Sequence, residues 1–387
     1  MSLKAIDLFA GCGGLSKGFE NAGFEVAAAF EFWDVAANCY EKNFKHSVYR
    51  MDLSEVRDAV KIIKKYEPSI IIGGPPCQDF SHAGKRIEAG RATLTEAFAE
   101  IVQHVKPKYF VMENVDRAIN SKAFSCARSI FMETGYGLTE IVLDSSRCGI
   151  PQKRKRFFCI GALNKPDNFA KNSLLAHVSR HETTLRDYFG DTLGFDFYYR
   201  HPRNYNRRAI FSIDEPAPTM RGVNRPIPKG YPGHPNDACK LRENIRSLTT
   251  LERALIQTFP PDFKWCGNKT EMEQMIGNAV PVKLAEFVGK ALLNVIFINE
   301  NSEKNLIDGD FKPWLLSQCK YSERTARDTI SRIKRADKLC RINDSLDSFY
   351  LYKLQQMPAF NDLSGSVRSQ IKRAVTLYCK FLNEKGR

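Results

Sequence analysis

Over the first 160 residues, short apolar or β-branched runs alternate with helix-length stretches, and that rhythm admits few folds. It predicts strands at Ala5–Phe9, Glu25–Glu31, Ser69–Gly73, Tyr109–Glu113, Gly137–Asp144 and Phe157–Ala162. Helices are predicted between them at Ser16–Ala22, Asp34–Asn43, Val56–Lys65, Leu94–Val105 and Ala123–Thr134. Strands separated by helices bury their faces as a largely parallel sheet, so the chain is read as an α/β protein.

The rhythm breaks at about residue 165. From there to 249, Pro, Gly, Arg and aromatic residues crowd together without helical periodicity, as in Phe195–Arg208 and Arg221–Pro235. Helix is predicted again at Thr250–Thr258 and Val282–Asn299, and the polar run Asn299–Asp310 reads as a linker. The division expected is therefore an α/β domain from 1–164 and 250–300, a loop-rich domain at 165–249, and a basic helical domain at 301–387.

Composition excludes several classes. With 43% hydrophobic and 26% charged residues the chain reads as an ordinary soluble protein, and its longest apolar runs fall far short of a membrane span. The N-terminus enters a strand at once, so no signal peptide and a cytosolic location are expected. Eleven cysteines, scattered and without a C-x-x-C pair, argue against a disulfide framework or a zinc site, and no metal is expected. The net charge of +14 is unevenly placed. Residues 1–150 carry 18 Lys and Arg against 19 Asp and Glu, whereas 151–240 carry 16 against 8 and 301–387 carry 17 against 10. The excess is confined to two segments, as expected of surfaces that meet a polyanion; a merely basic surface is the plainer alternative.

Four groups of residues carry chemistry. The first strand runs into Phe9-Ala10-Gly11-Cys12-Gly13-Gly14-Leu15, where glycines let a ligand approach the backbone and a helix N-terminus. Glu31 then closes the second strand and is suited to ribose hydroxyls; Asp52 follows an apparent third strand, and Phe32 and Trp33 offer flat faces to a purine. Next, Gly73-Gly74-Pro75-Pro76-Cys77-Gln78 presents a cysteine at the carboxyl edge of the sheet, where open α/β sheets bind ligands. Finally, Glu113-Asn114-Val115 ends a strand, Gln152-Lys153-Arg154-Lys155-Arg156 supplies cations, and Gly277-Asn278-Ala279-Val280 lies in a stretch read as a turn before a helix.

In this order the blocks resemble the DNA cytosine-C5 methyltransferase family of bacterial restriction–modification type, across roughly residues 3–300. The resemblance implies a Rossmann-like domain dependent on S-adenosylmethionine (SAM), a smaller target recognition domain, and a C-terminal helical extension outside the pattern. It implies that Phe9, Gly11, Cys12, Gly13, Gly14, Leu15, Glu31, Phe32, Asp52, Leu53, Gly74, Pro76, Leu94, Asn278 and Ala279 surround SAM. Cys77, Glu113, Arg154 and Arg156 would handle the target base, and Pro218–Arg221 would organise the recognition region. Ala92 stands where many relatives have glycine, and only about 60 residues separate Arg156 from Pro218, short for the family.

The implied chemistry is demanding. Cytosine C5 becomes nucleophilic only after a thiolate adds at C6, and the base must first leave the helix. The segment after Cys77 is therefore read as a closing loop whose Ser81, Lys85, Arg86 and Arg91 meet DNA, a solvated loop being the alternative. In the recognition region Arg200, Arg203, Asn204, Arg207 and Arg208, with Thr219 and Arg221, are expected at the DNA. The basic helices of 301–387 are expected to contact flanking DNA; self-association or a passive cap is the alternative. Double-stranded DNA is the expected partner of a monomer located with the bacterial nucleoid, and any cognate restriction endonuclease would be a separate chain. A tRNA cytosine-C5 methyltransferase of the same fold, or a non-catalytic SAM-dependent DNA-binding regulator, are the rival readings.

Overall fold

Ile70, Ile71 and Ile72 are wholly excluded from water, and a β-branched triplet buried on both sides can serve only as a central strand. The computed structural model describes residues 3–76, 93–204, 206–305, 310–340 and 350–384. In it the triplet belongs to β4 (Ile70–Gly73), at the middle of a seven-stranded sheet. The other strands are β1 (Lys4–Leu8), β2 (Glu25–Phe30), β3 (Ser47–Tyr49), β5 (Tyr109–Val115), β6 (Tyr136–Asp144) and β8 (Lys155–Leu163). The short β7 (Gln152–Lys153) lies just before β8. Strand order is β3-β2-β1-β4-β5-β8-β6, parallel from β3 to β5, with β8 antiparallel to both of its neighbours.

This order fixes where a ligand can sit. From β1 the chain winds outward through β2 and β3, then returns to lay β4 and β5 on the other side. The carboxyl ends of β1 and β4 therefore flank the point where the winding reverses, which is where open α/β sheets leave a crevice. Helices α1 (Gly14–Ala22), α2 (Asp34–Glu41), α3 (Val56–Lys64), α4 (Leu94–Val105) and α5 (Lys122–Glu133) fill the connections, within two residues of expectation. One apolar cluster joins α3, α4 and α5 to the sheet through Ile63, Phe98, Phe110 and Phe131. Phe110 and Phe131 stack there with centroids 4.1 Å apart.

The 165–249 segment holds more order than its composition suggests. It contains α6 (Lys171–Ala176), α7 (Leu185–Phe189), a hairpin of β9 (Phe197–Tyr199) and β10 (Ile210–Ser212), and β11 (Ala217–Pro218) paired to β7. Its apolar cluster around Tyr198, Phe211 and Met220 includes Ile256 of α8 (Thr250–Ile256). The segment therefore packs within one compact unit, Met1–Val295, rather than as the separate body expected.

Two further expectations are corrected. Gln274–Asn278 is not a turn but the end of α9 (Lys269–Asn278), begun by a capping box in which Asn268 and Glu271 satisfy each other's backbone amides. The predicted linker at 299–310 is helical as far as Asn305, the end of α10 (Val282–Asn305). Its Glu and Lys are good helix formers, so a polar run there does not dictate a turn.

Among the described residues of the second unit, Ile296–Arg387, the regular elements are helices: the end of α10, α11 (Lys312–Ser317), α12 (Glu323–Leu339), α13 (Tyr350–Gln356), α14 (Pro358–Asn361) and α15 (Gly365–Glu384). It has its own core of Phe311, Leu315, Ile330, Ile333, Ile371, Val375, Tyr378 and Phe381. The Trp314 indole donates to Glu384 at 2.7 Å, tying α11 to the end of α15. Among the described residues no helix is long and apolar enough to cross a membrane.

Candidate active site

The turn after β1 is built for a ligand. Gly11 and Gly13 take φ of 56° and 96°, which a side chain resists, and the Gly11 amide donates to Glu31 Oε2 at 2.7 Å. The other oxygen of Glu31 accepts from the Trp33 amide at 2.7 Å, so the carboxylate is aimed by its own backbone at the mouth of β2. Burial pushes its pKa up and these amides pull it back. Gly13 departs from expectation: a Cβ there would stand 2.3 Å from the Phe44 ring, so this glycine makes room for core packing and is absent from the cleft wall.

Beneath the loop lies a buried polar chain. Asp7 accepts from Ser16 Oγ at 2.6 Å, Tyr40 Oη donates to the same Ser16 oxygen at 2.5 Å, and Tyr40 Oη lies 2.7 Å from His46 Nε2. Asp7 is inaccessible to water and its second oxygen has no partner, so burial lifts its pKa to about 7. Burial lowers that of His46 to about 4.

Beyond the loop, a cleft of about 740 Å³ opens at the reversal point. Every other residue assigned to SAM lines it: Phe9, Gly11, Cys12, Gly14, Leu15, Glu31, Phe32, Asp52, Leu53, Gly74, Pro76, Leu94, Asn278 and Ala279. Phe32 is 71% exposed, an apolar ring left uncovered at this wall, while Asp52 stays solvated. Trp33, Met51 and Val280 also belong to the lining. An adenosyl group with a charged tail fits this composition: flat apolar faces, two carboxylates, and a glycine turn with its backbone exposed.

Glu113, Asn114, Arg154 and Arg156 line the same cleft. The chain leaves β4 through Gly74, Pro75 and Pro76, and Asn114 Nδ2 holds the Pro75 carbonyl at 3.1 Å. The turn is thereby pinned to β5 immediately before Cys77. Cys77 itself, with Ser81, Lys85, Arg86 and Arg91, lies outside the described residues. A Cβ on Gly74 would come within 3.1 Å of Glu113 Oε2, so glycine lets the turn close on this carboxyl. Glu113 is 8% exposed and its Oε1 lies 2.9 Å from Arg156 Nε. Burial raises the Glu113 pKa; Arg156, and then Arg154, pull it down.

The alternation Gln152-Lys153-Arg154-Lys155-Arg156 is legible in the burial: Gln152, Arg154 and Arg156 turn inward, Lys153 and Lys155 outward. The two arginines nevertheless differ. Arg156 faces Glu113. Arg154 is 1% exposed and donates to the carbonyls of Met220 (3.0 Å), Gly277 (2.9 Å) and Ala279 (3.0 Å). Its terminal nitrogens are engaged on backbone, which corrects the expectation that both arginines grip the base. Gln152 and Gln257 do related work: Gln152 accepts from the Met220 amide at 2.9 Å and donates to Gln257 at 2.7 Å, and Gln257 donates to the Ile276 and Ala279 carbonyls. Sequence reasoning missed Gln257, since no local signal marks a partner 105 positions away.

The expected DNA-contacting residues also divide. Arg203, Asn204 and Arg207 are exposed. Arg208 is paired with Glu215 and lies over the Phe211 ring at 4.3 Å. Arg200 donates to the Thr219 carbonyl at 2.8 Å, Thr219 Oγ1 to the Lys153 carbonyl at 2.8 Å, and Arg221 to the His201 carbonyl. These four hold the recognition segment together, because a loop-rich segment must find partners for its backbone carbonyls. Beside them the buried pair Arg253–Glu273 bonds Arg221, Asn224 and Thr250. Burial, and then neighbouring arginines, lower the pKa of Arg200, Arg221 and His201, which marks a concentrated positive field. Among the described residues no group of three or more His, Cys, Asp or Glu is placed to hold a metal ion.

The C-5 cytosine-specific DNA methylase family matches residues 3–294. The Type II methyltransferase M.HindV of Haemophilus influenzae is 56% identical over 294 residues, which is 76% of this chain and 97% of that protein. M.HgiDI of Herpetosiphon aurantiacus, another Type II methyltransferase, is 54% identical over 291 residues, 75% of this chain and 94% of the relative. In fold the chain resembles the S. pombe Dnmt2 methyltransferase, with a TM-score of 0.59 at 20% identity, over 76% of this chain and 99% of that one. With its cleft, its Glu113–Arg156 pair and its relatives in agreement, the chain belongs to the C-5 cytosine-specific DNA methylase family and is a DNA cytosine-5 methyltransferase of the Type II restriction–modification kind.

Proposed function

We propose that this enzyme methylates C5 of a cytosine flipped out of a specific duplex sequence, through a transient bond between Cys77 and C6 of the base. The observation that carries the reading is one shared cleft: the glycine turn, Glu31 and Asp52 line it together with Glu113 and Arg156, and Pro76 on its wall directly precedes Cys77. The glycine turn, Glu31, Phe32, Asp52 and Leu53 would hold SAM. Bound there, SAM would supply an electrophilic methyl group.

The residues of this chain then divide the work. The Cys77 thiolate forms the S–C6 bond, and the electrons of the C5–C6 double bond become available at C5. Negative charge accumulates toward N3 and O2. Glu113, whose pKa burial raises, meets N3 through a shared proton, its own or the base's, while Arg156 meets O2 with a charge-assisted bond. Arg154 is a positioning residue that holds the Met220 and Gly277–Ala279 backbones around the base. Once C5 carries the methyl group, loss of the C5 proton to a base expels the Cys77 thiolate and restores the aromatic ring. Arg203, Asn204 and Arg207 supply exposed contacts to the duplex. The enzyme acts as a monomer, with its cognate endonuclease on a separate chain.

The test is methyl incorporation from labelled SAM into plasmid DNA and into total tRNA. DNA labelling by the wild type, its loss in Cys77→Ala, and a denaturant-stable adduct with 5-fluorocytosine duplex are the expected results. Labelling of tRNA alone, or full activity of Cys77→Ala, overturns the reading.

A further inference from the structure

The family match ends at residue 294, and the second structural unit begins at Ile296. M.HindV and M.HgiDI are covered over 97% and 94% of their lengths by only three quarters of this chain. The unit from Ile296 onward, with a core of its own, thus lies outside the stretch shared with these relatives. Its α12 is sharply two-faced. Ala326, Thr329, Ile330, Ile333 and Ala336 are buried. Arg324, Arg327, Lys334, Arg335 and Lys338 are all exposed. At about 100° per residue these five cations fall within an arc of about 100°, opposite the buried face, and Arg324 to Lys338 spans about 21 Å along the axis.

Helix amphipathicity alone requires only polarity on the outer face, not a single sign. Here the acids Glu323, Asp328 and Asp337 lie to either side of the arc instead of within it. Glu323 is engaged by Lys312 at 2.9 Å. Among the described residues no carboxylate stands within ion-pair distance of Arg324, Arg335 or Lys338. With Arg327, Ser331 and Lys334, the Glu323-paired Lys312 of α11 borders a shallow recess beside the stripe. A row of like charges repels itself, and a regular polyanion laid along it relieves that repulsion. Strand phosphates recur every 3.4 Å or so along a duplex, so 21 Å of helix runs past about six of them.

We propose that the α12 stripe is a phosphate-binding face which engages duplex DNA outside the methylated sequence, extending the enzyme's footprint. The inference is independent of the chemistry assigned to Cys77. Its test uses the full chain with Arg324, Arg327, Lys334, Arg335 and Lys338 all changed to glutamine, beside a variant in which the three arginines become lysine. Affinity is measured against salt on a short duplex holding the target site alone and on the same site within long flanks.

On the long duplex the glutamine variant should lose about 3 to 4.5 from the slope of log K against log salt, at about 0.9 per phosphate contact. The lysine variant should keep the wild-type slope. On the short duplex all three proteins should bind and methylate alike, which reports the catalytic reading separately. Equal slopes for wild type and glutamine variant on the long duplex overturn the proposal. So does a glutamine variant whose sedimenting mass without DNA falls while its slope stays, since the face would then join copies of this chain.

Discussion

Arg154 and Arg156 stand two residues apart on one face of the chain, yet replacing each by methionine should fail in different ways. Arg154 donates to three carbonyls drawn from two distant segments, all within 3.0 Å. Methionine fills similar space and donates nothing. Stranding the Met220 and Gly277 acceptors costs about 1–3 kcal/mol each, Ala279 keeping its bond from Gln257, and relief of the guanidinium's own burial returns part of that. A net loss of about 3 kcal/mol follows, a fall in Tm of roughly 5 °C for a unit the size of Met1–Val295. KM for both DNA and SAM should rise, because Met220 belongs to the recognition segment and Ala279 to the cleft wall. Arg156→Met instead removes a side chain bonded to Glu113, and one nitrogen bonds only the adjoining Lys155 carbonyl. Its Tm should move far less and kcat should fall by about 10²-fold or more. Glu113, without the cation that pulls its pKa down, should also stay protonated to higher pH. Differential scanning fluorimetry and steady-state kinetics on both variants settle the matter. If Arg154→Met melts with the wild type and loses kcat alone, Arg154 works on the base and the positioning role assigned to it is wrong.

Asp7→Asn tests the buried polar chain. The raised Asp7 pKa gives stability that is complete below its unfolded value of about 3.9 and is lost as pH rises through about 7. The depressed His46 pKa acts in the opposite sense, giving stability above about 6.5 that is lost as pH falls toward 4. Thermal melts from pH 5 to 8 should therefore show Asp7→Asn gaining on the wild type as pH rises; a constant difference would refute the assignment. Arg203→Gln with Arg207→Gln should lower the salt slope of DNA binding by up to about 2 with Tm unchanged, and an unaltered slope would remove both from the interface. Arg253→Met, which strands Glu273, should cost about 3–5 kcal/mol in denaturant unfolding. The double variant Arg253→Met/Glu273→Met should recover most of it; no recovery would mean that Asn224, Thr250 and the Arg221 carbonyl matter more than the pair itself.

How much of this could be read from the sequence depends on the distance over which each residue is determined. The sheet was legible because its strands are covered on both faces, and continuous burial leaves a signal as plain as Ile70-Ile71-Ile72. The lining of the cleft was legible for a related reason: many of its residues sit at strand ends, and strand ends follow from the same pattern. Gly13 is instructive as the exception, since its neighbours line the cleft while it yields to Phe44, a residue 31 positions on. In the recognition segment the local signals were present but short, as in the Thr184–Asp187 capping box that begins the five-residue α7. Composition instead argued for loops, and basic residues were read as pointing to DNA.

A loop-rich segment exposes many carbonyls that no helix or strand pairs, and arginine, with five donors on one planar head, is the residue best able to satisfy them. Arg154, Arg200, Arg221 and Arg253 all bond backbone carbonyls. A count of arginines in such a segment therefore sums two populations, one serving architecture and one facing the polyanion. Only burial separates them. The same argument favours α12: among the described residues Arg324, Arg335 and Lys338 meet no carboxylate at ion-pair distance, and they lie on a regular helix whose carbonyls are largely paired within it.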